Sequence, residues 1–225
     1  MEVKTIAWSY SSLQKFKNCP KRFYEEKVVR SVKPAPTEQT LWGEQVHAGF
    51  DKALSKGAPM EGALAPYAPT AKRFSHVKGT LRTEQQLAIN NALKPVEWFA
   101  RDVWCRGILD AVWIDGEVGK IVDWKTGKRR GGSDQLKLFA LLLFAHEPQV
   151  ERVNVSFVWL QTGKMDVEKY KRSDIPILWQ DFLADVRRLE TAHRNSSWVP
   201  RPSGLCSYCP VQTCSFWKST DGSKR

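Results

Sequence analysis

Two aspartates and a lysine stand close together between Ile108 and Gly127, in the stretch ILDAVWIDGEVGKIVDWKTG. Asp110 and Asp123 each close a short apolar run, and Lys125 follows two residues after the second aspartate. An Asp-Gly turn between the runs predicts a pair of antiparallel strands that brings the two carboxylates side by side. Because side chains two residues apart on a strand share a face, Lys125 should point the same way as Asp123.

Carboxylates on adjacent strands are suitable ligands for Mg²⁺ or Mn²⁺, which prefer oxygen donors. Such an ion polarises a phosphoryl oxygen, and Lys125 would orient the attacking water or neutralise the phosphate. The pattern therefore indicates a metal site that acts on phosphodiesters. The alternative is a structural salt-bridge network on a hairpin, which is a common fate for such residues.

The cysteines form a second group. Three of the five fall within CSYCPVQTC, at Cys206, Cys209 and Cys214, a spacing typical of metal or cluster ligation. A fourth thiolate must come from elsewhere, and Cys19, which precedes a proline, is the candidate. Four thiolates suit either a 4Fe-4S cluster or tetrahedral zinc. Cys105 has no partner by spacing and is expected to be a core residue.

The chain is strongly basic, with a formal charge of +11 over 225 residues and a local cluster after Lys125 in the sequence GKRRGG. This charge favours a nucleic-acid partner over a purely solubilising role. No apolar run approaches the length of a membrane span, and the first ten residues lack the layout of a secretory signal. We therefore expect a cytoplasmic protein that does not enter a membrane.

Alternating and helical patterns place these residues on elements. A capping box at Ser11 to Gln14 predicts a helix from Ser12, interrupted at Cys19-Pro20. A second helix ends at Gly57, and helices capped by Ser133 and starting near Ser173 follow. Five strands alternate with these helices, which predicts an α/β fold with a mixed central sheet flanked by helices. His47 lies beside the apolar stripe of the second helix, where a lone histidine is usually just partly buried.

The ensemble resembles the PD-(D/E)XK nuclease superfamily, and within it the RecB-like nucleases, which include CRISPR-associated and phage-encoded members. The resemblance extends from residue 8 to 217 and rests on His47 in GEQVHAGF, Asp110 in RGILDAV, Asp123 and Lys125 in VDWKTGK, and Gln135 in DQLKLFALLL. The segments SYSSLQKFKNCPKRF and CSYCP are also similar to that branch. It implies a restriction-endonuclease-like core.

The resemblance also implies roles. Asp110 and Asp123 would bind the metal, with His47 as a third ligand and the backbone carbonyl of Trp124 as a fourth. Lys125 would be the catalytic lysine. Gln135 matches the start of a QxxxY motif near the active site, although Phe139 stands where the tyrosine is usual. Glu84 resembles an acidic position on the preceding strand.

For the cysteines, the resemblance favours the 4Fe-4S cluster over zinc. Residues 8–30 and 196–218 would then form an iron–sulfur lobe of a single nuclease domain spanning residues 1–225.

The implied activity is metal-dependent hydrolysis of DNA, as an exonuclease on single strands or duplex ends. It would take place in the cytoplasm of the host cell if the protein is phage-encoded. The alternative is a catalytically silent DNA-binding subunit of a recombination, repair or adaptation complex.

We also expect roles for two groups of basic residues. GKRRGG at the rim of the site would contact phosphates. Basic and aromatic residues near Cys19 would either line a single-strand path or form a solvated helix face over core aromatics. They are Lys15, Phe16, Lys17, Lys21, Arg22, Phe23 and Tyr24.

Overall fold

A computed structural model describes residues 6–129 and 134–218. It contains two compact units, a central unit (Pro36–Asp181) and a terminal unit made of the described residues through Ala35 and from Phe182 onward. Within the described ranges, no helix combines the length and apolar character needed to cross a membrane.

The sheet of the central unit has six strands in the order β2-β1-β3-β4-β5-β6. The strands are β1 (Thr80–Ile89), β2 (Pro95–Val96), β3 (Cys105–Asp115), β4 (Val118–Lys125), β5 (Arg152–Trp159) and β6 (Lys164–Lys171). The helices are α1 (Tyr10–Asn18), α2 (Pro20–Phe23), α3 (Glu38–Lys56), α4 (Ala68–Ser75), α5 (Gln135–His146) and α6 (Ile175–Arg194). Neighbouring strands are antiparallel except β4 and β5, which are parallel and joined through α5. The predicted α/β class with a mixed sheet is confirmed.

Capping residues determine where α1 begins and where α3 ends. Gly57 ends α3 in a left-handed conformation with a φ of 66°, as predicted. The predicted start of the first helix is wrong, because α1 begins at Tyr10 and Ser9, not Ser11, forms the capping box with Ser12. The predicted cap Ser133 lies outside the described residues. Between α3 and β1, the chain adds a 3-10 turn at Gly62–Tyr67 before α4.

One face of the sheet packs on α3 and α4 through Trp124. Its ring stacks on Phe50 of α3 at 4.1 Å between centroids and meets Phe74 of α4 edge-on at 5.0 Å. Phe50 and Val46 are completely buried. His47 lies one helical turn before Phe50, so this contact carries the histidine to the strands.

The other face packs on α5. A Cβ at Gly119 of β4 would lie 2.6 Å from Leu143, and one at Gly107 of β3 would lie 2.8 Å from Leu142. A side chain at either position would therefore force the leucine of α5 to shift. Because Gly119 and Trp124 have opposite parity on β4, α5 and α3 cover opposite faces.

In the terminal unit, the basic side chains of α1 and α2 are ion-paired. Lys15 and Arg22 bind the buried carboxylate of Glu26, Lys17 binds Asp185, and Lys21 binds Glu25.

The aromatic rings of the same segment are also engaged. Phe16 and Phe23 are core residues, and Trp198 stacks on Phe23 and Tyr24. These contacts favour the helix-face interpretation over the single-strand path.

Candidate active site

The two aspartates lie where β3 and β4 part. The strands pair from Ala111 opposite Val122 to their turn, and Asp110 and Asp123 are the next residues in that register. Both are buried, at 7% and 3% exposure. The hairpin thus brings the two aspartates to neighbouring register positions at a fork, as the sequence predicts, while the group of possible metal ligands contains Asp110 but not Asp123.

Asp110 is held by a strand and a helix. Its Oδ2 accepts a hydrogen bond from the Trp124 amide at 2.8 Å and lies 3.2 Å from His47 Nδ1. Burial would lower the pKa of His47, but the hydrogen bond and charge of Asp110 outweigh it, and the pKa is raised.

Asp123 belongs to a second network with Lys125 and Gln135. Gln135 Nε2 donates to Asp123 Oδ1 at 3.1 Å, and Gln135 Oε1 accepts from Lys125 Nζ at 3.1 Å. Asp123 Oδ2 is inaccessible to solvent and makes no well-directed hydrogen bond among the described residues, although Lys125 Nζ lies 2.6 Å away. The Phe157 ring lies 4.6 Å from the same ammonium group. The predicted shared face of Asp123 and Lys125 is confirmed.

Glu84 lies near Asp110 and His47, and its backbone is strained. It stands opposite Asp110 in the β1–β3 register and has a left-handed φ of 47°, which is costly for a residue with a Cβ. Thr83 donates to Asp51 of α3, whereas Leu87 pairs with Gly107, which faces α5. Thr83 and Leu87 are an even number of residues apart on β1 and yet lie on opposite faces of the sheet. The left-handed backbone of Glu84, which lies between them, accounts for this change of face.

One ligand atom from each of His47, Glu84 and Asp110 lies within 4.8 Å of the others. Burial and then the charge of Asp110 raise the pKa of Asp123 and of Glu84 above their ordinary values. Negative charge is thus concentrated at the fork, and a divalent cation would relieve it. Oxygen donors with one imidazole fit Mg²⁺ or Mn²⁺.

The sequence indicates Glu84 only weakly, because a single acidic residue in a strand is common and its φ has no local signature. Phe139 lies in the core, close to where a Cβ on Gly107 would be, with 4% exposure. The ring at the fifth position of the QxxxY motif therefore packs between α5 and β3.

Part of the basic loop after Lys125 is described. Arg129 Nε lies 3.0 and 3.1 Å from the two oxygens of Asp166, which also accepts from Trp159 Nε1 at 2.7 Å. The guanidinium is therefore ion-paired with β6 while half of its side chain stays exposed, and its contact with a phosphate stays a prediction. Lys128 is exposed, and Arg130 with the following glycines lies outside the described residues.

The cysteines lie together in the terminal unit. Cys19, Cys206, Cys209 and Cys214 line one small pocket and are free thiols. The amides of Arg201 and Ser203 donate to Cys19 Sγ at 3.4 Å and Cys206 Sγ at 3.3 Å.

The remaining observations on the cysteines concern the burial of Cys209 and Cys105. Burial raises the pKa of Cys209. Cys105 is fully buried in β3, as predicted for a core residue.

The sequence model of the PD-(D/E)XK nuclease superfamily matches residues 7–214. The chain belongs to this superfamily. Fold comparison agrees: the crystal structure of SSO0001 superposes with a TM-score of 0.50 at 14% identity, covering 95% of this chain and 88% of that one. A "putative exonuclease" from Eubacterium rectale gives a TM-score of 0.52 at 14% identity, covering 89% and 86%. A search of the curated proteins finds no match. Superfamily membership supports nuclease activity with a divalent metal.

Proposed function

We propose that the protein is a divalent-metal-dependent deoxyribonuclease of the RecB-like type, acting as an exonuclease on single strands or DNA ends. The observation that carries the proposal is the pair of networks at the fork. One joins Asp110 to His47, and the other joins Asp123 to Lys125 and Gln135.

We expect the residues at the fork to divide into metal ligands and groups that act on the phosphate. Asp110 and Asp123 would bind Mg²⁺ or Mn²⁺ together with His47 and the carbonyl of Trp124. Glu84 joins this set because it shares the ligand cluster with His47 and Asp110. When bound, the ion would polarise a phosphoryl oxygen and acidify a water molecule.

The other side chains act on the reacting groups or on one another. Lys125 would neutralise the phosphate and orient the attacking water. Gln135 is a positioning residue, because it bonds Lys125 and Asp123 and holds both in place.

The decisive test is cleavage of end-labelled single- and double-stranded DNA with Mg²⁺ or Mn²⁺. We expect wild-type protein to cut, and Asp110→Asn and Lys125→Ala to lower the rate by about a thousandfold or more while still binding DNA. A wild-type protein that binds DNA but cuts neither substrate would instead be the silent DNA-binding subunit.

We also propose that Cys19, Cys206, Cys209 and Cys214 ligate a 4Fe-4S cluster in a lobe built from residues 8–30 and 196–218. All four thiols line one pocket, a set that suits either a 4Fe-4S cluster or a tetrahedral zinc ion. The resemblance to the RecB-like nucleases favours the cluster.

Metal analysis of protein purified without oxygen separates the two. We expect about four irons per chain, with broad visible absorbance, and loss of iron in Cys209→Ser. Cys105→Ser is the matched control and should keep its iron. A colourless protein with one zinc would overturn the cluster.

A further inference from the structure

Beyond the fork, β1 and β3 continue with one face that carries exposed and half-buried side chains as well as the buried Ala88. Gln86 pairs with Ile108, and Ala88 pairs with Arg106. Gly107 between them faces α5, so its neighbours Arg106 and Ile108 point to the opposite side. Gln86 is exposed, and Ile108 is 39% exposed, although it lies only two residues from Asp110. We call Gln86, Arg106 and Ile108 the β1–β3 face.

Two consecutive aromatic residues, Trp98 and Phe99, follow β2, and we call them the aromatic platform. The Arg106 guanidinium lies 5.0 Å from the centre of the Trp98 ring. The next residue, Phe99, is 87% exposed, more than any other large hydrophobic side chain in the described ranges. A ring so exposed gains nothing for the fold and is available to stack on another flat group.

The segment that carries the platform is anchored at its base. Asn90 accepts hydrogen bonds from the amides of Ala92 and Lys94 and donates to Asp102 at 3.1 Å. The Trp104 amide then donates to the Ile89 carbonyl at 2.8 Å. Phe99 is therefore presented from an ordered loop.

We propose that the β1–β3 face, with Trp98 and Phe99, binds the unpaired strand of the substrate next to the phosphate at the fork. The inference rests on the proposed nuclease function and narrows its substrate to DNA that is single-stranded at this point. The occupant follows from the chemistry: an aromatic ring stacks on any exposed base, and an arginine lying on a ring keeps its edge free for a phosphate.

The geometry also sets a length. Asp110 and Arg106 are four strand residues apart, about 13 Å, which corresponds to about two to four nucleotides. Bases inside a duplex present no free face to Phe99, so a strand must be unpaired to lie along the β1–β3 face and stack on this platform. Two acidic residues, Glu97 and Asp102, lie on the same loop, and Asp102 is bound to Asn90. Stacking and the Arg106 contact, more than bulk charge, therefore carry the binding.

The test measures binding and cleavage separately. Anisotropy of a labelled twelve-nucleotide oligothymidylate is recorded in EDTA, and cleavage with Mn²⁺ is recorded on the same strand and on a dinucleotide. We expect Phe99→Ala and Arg106→Gln each to weaken binding of the twelve-mer about five- to thirtyfold. The dinucleotide cannot reach the platform, so its cleavage rate should stay within about twofold of wild type.

Two exposed residues elsewhere provide matched controls. Ile177→Ala removes an exposed apolar side chain, and Arg152→Gln removes an exposed charge at the far end of the sheet. Both should bind the twelve-mer like wild type, and a thermal melt of Phe99→Ala should match wild type because the ring is exposed.

The outcomes distinguish the two proposals. If Phe99→Ala and Arg106→Gln bind the twelve-mer as wild type does, the binding face is overturned, whether or not the protein cuts DNA. If wild type never cuts but both variants lose binding, the face stands and the nuclease proposal fails.

Discussion

At the scale of single residues, Lys125 is held by groups from three elements. Its Nζ lies 2.6 Å from Asp123 on its own strand, 3.1 Å from Gln135 on α5 and 4.6 Å from the Phe157 ring centre on β5. The fold therefore fixes the position of the amine at the fork. A fixed donor contacts a phosphate reproducibly, which a freely rotating lysine does not.

Gln135 tests this positioning. Gln135→Ala removes a side chain bonded to both Lys125 and Asp123, and we expect kcat to fall about ten- to a hundredfold with stability nearly unchanged. Because Gln135 acts partly through Lys125, adding Gln135→Ala to Lys125→Ala should slow cleavage by less than the product of the two single effects. Gln149→Ala, an exposed glutamine on another loop, is the control. Fully additive effects in the double variant would show that Gln135 acts independently.

Glu84 combines strain and chemistry, and two substitutions separate them. Both Glu84→Ala and Glu84→Gly remove the carboxylate, so we expect both to lose metal-dependent cleavage. Only glycine relieves the left-handed φ of 47°. Glu84→Gly should therefore be about 1 kcal/mol more stable than Glu84→Ala in urea denaturation. Equal stabilities would mean that the backbone at this position is not strained.

At the scale of elements, the close approach of α5 to β3 depends on Gly107. A Cβ there would lie 2.8 Å from Leu142 and 3.4 Å from Phe139. We expect Gly107→Ala to destabilise the fold by about 1–3 kcal/mol and to slow cleavage, because β3 carries Asp110 three residues further on. Gly127→Ala, where a Cβ meets nothing within 4 Å, should leave the denaturation midpoint unchanged. A neutral Gly107→Ala would show that α5 readily shifts.

The contact between α1 and the π-helical turn Tyr24–Val28, which follows α2, depends on the buried carboxylate of Glu26. Burial alone would raise the pKa of Glu26, but hydrogen bonds from Lys15 and Arg22 offset it, and the pKa lies below its ordinary value of 4.5. A lowered folded-state pKa stabilises the protein above the unfolded value, and this stability is lost as the pH falls through the folded value. Glu26→Gln should thus be less stable than wild type at pH 7, with a difference that shrinks in urea titrations below about pH 4.5. A difference independent of pH would contradict the ionic role.

The elements that sequence predicts well are those with local signals. The Asp-Gly turn, the glycine at the end of α3 and the parallel β4–β5 pair follow from short patterns. The capping serine of α1 does not, because Ser9, Ser11 and Ser12 compete within four residues. The two-residue strand β2 has no periodicity to detect.

In the candidate site, too, the features that the sequence predicts are those with a local signal. The placement of Asp123 and Lys125 on one face follows from strand alternation, and that of Gln135 beside them from its motif. The left-handed φ of Glu84 and the commitment of Arg129 to Asp166, 37 residues away, arise from tertiary packing. No local pattern encodes such contacts, so they emerge only in the folded chain.

At the scale of the whole molecule, the formal charge of +11 overstates the charge offered to DNA by the terminal helices. There, Lys15, Lys17, Lys21 and Arg22 are each ion-paired, and Lys15 and Arg22 share the carboxylate of Glu26. In the central unit, Arg129 is likewise bound to Asp166, whereas Arg106 has no carboxylate partner within 4.0 Å among the described residues. We therefore expect binding to depend on the cations that lie beside the fork, such as Arg106, more than on the net charge of the chain.

This distribution predicts a modest salt dependence. Each phosphate neutralised on a single strand contributes about −0.7 to the slope of log K against log salt concentration. A β1–β3 face that spans a few nucleotides should give a slope of about −2 to −4 for the twelve-mer, measured by anisotropy between low and physiological salt. Arg106→Gln should make the slope shallower by about 0.7, and Arg152→Gln should leave it unchanged. A slope steeper than about −7 that neither variant alters would mean that DNA is attracted by the net charge of the whole surface instead of by this face.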